Sequence, residues 1–137
     1  HTIDVQYNQT TGLGLFAAYY GRYTQNAPKG VTAAPTNDTY DWGLVGQASY
    51  LVPDTKWEPF VRYDYIHFDD DSLAAGARDT VHEFTGGVSY YLHGQAAKFT
   101  LDVNYLPNGS PLSDSGSDVL SSPKSEIVVR AQFQLLL

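Results

Sequence analysis

Apolar and polar residues alternate one by one along most of this chain, while the three- and four-residue spacing of an amphipathic helix is hard to find. The clearest run is Ser125–Leu137. There Ile127, Val129, Ala131, Phe133, Leu135 and Leu137 form one face, and Glu126, Arg130, Gln132 and Gln134 the other, with Val128 and Leu136 as exceptions. This pattern predicts a strand with one apolar and one wetted face. The same reading predicts strands at Thr2–Asn8, Leu13–Arg22, Thr39–Leu51, Trp57–Phe68, Thr80–Leu92 and Lys98–Tyr105. In Lys98–Tyr105, for example, Phe99, Leu101, Val103 and Tyr105 stand against Lys98, Thr100, Asp102 and Asn104. Gly43, Gly46, Gly86 and Gly87 fall inside strands, where they permit bends or close packing.

The connections alternate in length. Gln9–Gly12, Val52–Lys56 and His93–Ala97 are short; Tyr23–Asp38, Asp69–Asp79 and Leu106–Lys124 are long and rich in Asp, Ser, Pro, Asn and Gly. A soluble sandwich has no reason to sort its loops this way, whereas a bacterial outer-membrane barrel puts short turns on the periplasmic side and long loops outside. If the last strand ends at the periplasmic side, counting back places every short turn inside and every long loop outside. Strands of about 10 to 12 residues, rising ~3.3 Å each and tilted ~40°, span roughly 25–30 Å, the height of an outer membrane's apolar band.

The aromatics sharpen this picture. Tyr and Trp favour the membrane–water boundary, where the ring is buried and the polar tip stays wet. Tyr19, Tyr20, Tyr40, Trp42, Tyr65, Phe84 and Tyr105 fall at the predicted outer ends, and Tyr50, Trp57, Phe60, Tyr90, Tyr91 and Phe99 at the inner ends. Leu44, Val61, Val88, Leu101 and Val129 lie between them. The expected fold class is therefore all-β, a seven-stranded segment of an antiparallel transmembrane barrel.

Composition narrows the function classes. The 137 residues have room for one domain, and the net charge of −7 argues against a nucleic-acid binder, which needs a basic footprint. With no cysteine there is neither a disulfide framework nor a thiolate metal site. No run of about 18 apolar residues could form a transmembrane helix. The chain also lacks methionine, which implies that it starts after processing or was cut from something longer.

Three stretches carry a resemblance. WEPFVRYDYIHF (Trp57–Phe68) resembles a C-terminal porin strand, VSYYLHGQAAKFTLDVNYLPNG (Val88–Gly109) the tyrosine-rich hairpin near the end of bacterial porins, and SEIVVRAQFQLLL their last strand. Together, and in this order, they resemble the phosphate-selective porin O and P family, most strongly from Trp42 onward. Such barrels usually finish in Phe, whereas this chain ends in Leu137. The resemblance implies a homotrimeric channel of roughly 16 strands in the bacterial outer membrane. Its partners would be lipid, lipopolysaccharide, small solutes or ions, and the remaining barrel strands. It implies no cofactor and no enzymatic activity. Residues 1–137 would then be the C-terminal part of a larger barrel, or one chain completed by others.

The working parts of a porin are its lumen charges. The pore-lining candidates are Arg22, Arg62, Asp64, Glu83, Lys98, Asp102 and Arg130, with Asp4, Asp41, Glu58 and Glu126 among them. The set is acid-rich and lacks the basic run with which, as the resemblance implies, phosphate-selecting members line the pore; the remaining strands could hold it, and anions such as phosphate stay among the expected solutes. Arg62–Asp64 and Arg130–Glu126 are expected to neutralise one another. His67 and His82 flank the Asp69–Asp71 triplet, so a hairpin could gather them as metal ligands, but neither the spacing nor a motif supports a metal site. The competing readings are an outer-membrane barrel enzyme, a barrel that does not conduct, and a soluble ligand-binding barrel, which would have an apolar interior and a polar exterior.

Overall fold

The computed structural model describes residues 1–27, 37–69, 78–93, 96–109 and 125–136. Asp70, Asp71, the serine-rich stretch beginning at Ser110 and the terminal Leu137 lie outside the described residues.

The alternating runs fold as strands β1 (Thr2–Asn8), β2 (Leu13–Ala27), β3 (Asn37–Tyr50), β4 (Trp57–His67), β5 (Thr80–His93), β6 (Ala97–Leu106) and β7 (Glu126–Leu135). All seven lie in one sheet, each antiparallel to its sequence neighbours, in the order β1-β2-β3-β4-β5-β6-β7. This up-and-down order puts the short connections at one end of the sheet and the long ones at the other. The sheet is not closed: β1 and β7 each pair on one side only.

β2 continues to Ala27, past the predicted end at Arg22. Apolar alternation stops there, but the ladder does not. Tyr23 pairs with Tyr40 and Thr24 with Thr39, and the Tyr23 hydroxyl donates to Asp38 Oδ2 at 2.5 Å. The β2–β3 ribbon therefore outruns its apolar section at the long-loop end.

Register assigns every residue to a face. One row runs unbroken across the sheet: Tyr7, Leu15, Ala48, Val61, Gly86, Val103, Val129. The next row, on the opposite face, reads Gln6, Phe16, Gln47, Arg62, Thr85, Asn104, Val128. Burial is the reverse of a soluble protein's. Val61 and Val129 are 63% and 66% exposed, whereas Thr85 and Asn104 are 4% and 3% exposed.

This inversion follows from curvature: side chains crowd on the concave face of a curled sheet and splay on the convex one. A polar trough of about 600 Å³ lies on the concave side, lined by Gln6 and Asn8 of β1 as well as Gln132 and Gln134 of β7, so the sheet wraps around it. This burial, with the apolar side chains exposed and the polar ones covered, does not fit a soluble barrel with an apolar interior.

Two glycines fit the close approaches this requires. Gly12, at φ 102°, forms the β1–β2 turn, and its amide donates to the Gln9 carbonyl at 3.0 Å. Gly87 sits on the polar face between Phe60 and Asp102, where a Cβ would come within 2.6 Å of the Phe60 ring and 2.7 Å of Asp102 Cβ.

Candidate functional site

The polar, concave face carries the chemistry. Alternation within each strand and register between strands place Arg22, Arg62, Asp64, Glu83, Lys98, Asp102 and Arg130 all on it, together with Asp4, Asp41, Glu58 and Glu126.

The arginines do not stand alone. Arg22 and Asp41 are directly opposite in the β2–β3 ladder, and Arg22 Nε and Nη2 donate to Asp41 Oδ2 at 3.0 and 2.5 Å. Asp41 Oδ1 accepts the Asp69 amide at 3.0 Å, and Asp69 Oδ2 accepts the Tyr40 amide at 3.0 Å. This reciprocal pair ties the residues that follow β4 to β3. Arg62 forms a two-pronged pair with Asp64, two residues on along β4, at 2.7 and 2.8 Å.

Arg130 departs from the expectation. Its partner is Asp102, opposite it in the β6–β7 ladder, with Nε to Oδ1 at 2.9 Å. Glu126 lies four residues away on Arg130's own strand, too far along an extended backbone to be reached, and its Oε1 is buried without a hydrogen-bond partner.

A line of buried polar groups supports Asp102. Its Oδ1 also accepts Asn104 Nδ2 at 2.7 Å, and Asn104 Oδ1 accepts the Thr85 hydroxyl at 2.7 Å. Below it Ser89 and Thr100 share a hydrogen bond at 3.0 Å, and the Tyr91 hydroxyl donates to Glu58. Lys98 Nζ lies 6.0 Å from the centre of the Tyr91 ring. The sequence offered Thr85, Asn104 and Ser89 only as polar members of their strands. Their partnership is a product of register.

The convex face carries the aromatic belts. Near the long loops, Trp42 lies 5.2 Å from Tyr65, and Tyr65 lies 5.1 Å from His82. Near the short turns, Trp57 packs on Tyr90 at 4.6 Å. Tyr20, Phe60 and Tyr91, counted with the belts by height along the strand, lie on the polar face instead. Each is one step out of phase with an outward neighbour, and consecutive strand residues point to opposite faces. His67 and His82 both face outward. His82 Nδ1 is 2.9 Å from the Tyr63 hydroxyl, and His67 sits 5.7 Å from the Trp42 ring. Among the described residues no group of three or more His, Cys, Asp or Glu side chains could hold a metal ion.

The arrangement is a wall: fixed, paired charges and hydrogen-bonding groups on one side, aliphatic and aromatic surface on the other. No curated protein and no solved structure matches the chain. A family model, phosphate-selective porin O and P, matches residues 9–135, from the β1–β2 turn to the end of β7, and the chain belongs to that family.

Proposed function

We propose that this chain forms part of the wall of a water-filled channel in a bacterial outer membrane, through which small hydrophilic and ionic solutes diffuse passively. The observation that carries this reading is the reversed burial of the two faces. A convex surface of Val61, Leu101, Val103, Ile127 and Val129 suits lipid tails. A concave surface of paired charges and amides suits water. The family supports a channel rather than an enzyme.

The wall belongs to a larger barrel, of which residues 1–137 are the C-terminal part. In lipid the open edges of β1 and β7 would each leave backbone groups unsatisfied, at several kcal/mol per group. In an alternating sheet of seven, β1 and β7 run the same way. Antiparallel closure therefore needs an odd number of further strands between them, and two copies inserted in the same orientation meet the same mismatch where their edges join. Homotrimeric assembly and contact of the outer loops with lipopolysaccharide belong to the same proposal.

The test is a planar-bilayer recording of the intact porin in KCl. A steady ohmic current is expected. A folded, inserted protein that passes no current would overturn the channel reading in favour of a structural barrel.

A further inference from the structure

Resting on the channel reading, we propose that the polar face holds, near its long-loop end, a site for organic anions, in which an anionic group is carried on a flat apolar body. Arg22 and Arg62 supply the donors, and the floor between them is apolar. Gly43 makes room for it. In the ladder Gly43 stands between Tyr20 on one side and Ile66 on the other. A Cβ there would come within 3.0 Å of the Tyr65 carbonyl, and without one the wall is low at this point. The hollow it helps to line measures about 490 Å³, within the range of small-ligand sites.

Alternation extends the floor to Val45, two residues along β3 from Gly43, and to Phe68, two beyond Ile66; both line the same hollow. Tyr20 and Ile66 are exposed, and the described residues leave their apolar surface to water. A ring laid on that surface removes it from water, which is favourable. Nearer the short turns the wall is different. There Arg130 and Lys98 share their trough with Gln132 and Thr100.

The two arginines border the floor, Arg22 from the long-loop side and Arg62 from the other. In each pair the carboxylate is the buried member. The Arg22 side chain is 70% exposed against 7% for Asp41, and Arg62 is 40% exposed against 13% for Asp64. Asp41 accepts on both oxygens, from Arg22 and from the Asp69 amide, and Asp64 accepts on both from Arg62. A solute therefore meets the guanidinium rather than its partner. A guanidinium has five N–H donors in a planar fork; Nε and Nη2 hold the aspartate, and the rest are left for a phosphate or carboxylate oxygen. Asp4 and Glu83 lie in the row of Val45 and Asp64, so the grip comes from donated hydrogen bonds and apolar contact together rather than from net charge. Inorganic phosphate finds the same donors but has nothing to lay on the floor.

The experiment compares phenyl phosphate with inorganic phosphate as blockers of the KCl current through the intact porin in a planar bilayer, buffered at about pH 8.5 so that both are dianions. Phenyl phosphate should halve the current at a concentration about fivefold lower or better, the gain from burying one face of a ring. Benzyl alcohol, a ring without the charge, should not block in the same range. Ile66→Gln makes the floor polar and keeps both arginines, and should bring the two phosphates to within about twofold of one another. Tyr20→Gln is a second variant with the same expected result, and Arg22→Gln should weaken block by both probes. Equal block by the two phosphates in the unaltered protein overturns the proposal, as does block by benzyl alcohol, or a phenyl phosphate advantage that survives in whichever floor variants assemble. Absence of any current in the folded, unaltered protein overturns the channel reading itself, and this inference with it.

Discussion

At the scale of single residues, the polar face shows which pairings a strand announces and which it conceals. Arg62 and Asp64 are two apart on one strand, so they share a face by alternation alone, and their pairing is legible in the sequence. Arg130 and Asp102 are joined across the long connection between β6 and β7, whose length fixes no register, so the sequence cannot say which residue faces Arg130. Arg22 and Asp41 are hidden in the same way by the connection between β2 and β3. The buried partner in each cross-strand pair is the carboxylate: Asp102 is 6% exposed, while the Arg130 side chain is about half exposed. Asp102→Asn should therefore cost about 1–3 kcal/mol, because one acceptor oxygen serves both Arg130 and Asn104. Arg130→Gln should cost less, since Asp102 keeps the Asn104 donor and the arginine was already half in water. Urea unfolding of the intact porin in lipid vesicles measures both, and an equal or reversed order would show that Asp102 does not organise this network.

At the scale of strands, alternation predicted all seven elements, with boundaries correct to within a few residues except at the end of β2, which runs on to Ala27 beyond the apolar section. The period of two also makes neighbours on one strand behave as opposites, and Gly86 and Gly87 test this directly. A Cβ on Gly86 would point outward into open space, whereas one on Gly87 would meet the Phe60 ring, Asp102 Cβ and the Leu101 carbonyl, all within 2.8 Å. Gly86→Ala should be neutral or slightly stabilising, by up to about 1 kcal/mol, through the entropy of the unfolded chain. Gly87→Ala should destabilise by about 1–3 kcal/mol through overpacking. The same unfolding measurement decides, and equal effects would contradict the assignment of faces. A stronger contrast is expected from charge. Val61→Arg on the convex face should cost about 2–4 kcal/mol near the bilayer midplane, and Gln132→Arg on the concave face should leave stability nearly unchanged.

At the scale of the whole molecule, the open edges decide what the chain can do by itself. β1 and β7 each pair on one side only, and they run the same way, so neither can close on the other as an antiparallel partner. In lipid each unsatisfied backbone group along those edges costs several kcal/mol, with no water there to take the place of the missing strand. Residues 1–137 on their own should therefore give no stable channel in a planar bilayer, whereas the intact porin should give a steady current. A stable, conducting preparation of residues 1–137 alone would contradict the assignment of this wall to a larger barrel, because it would show that the two edges find partners without further strands.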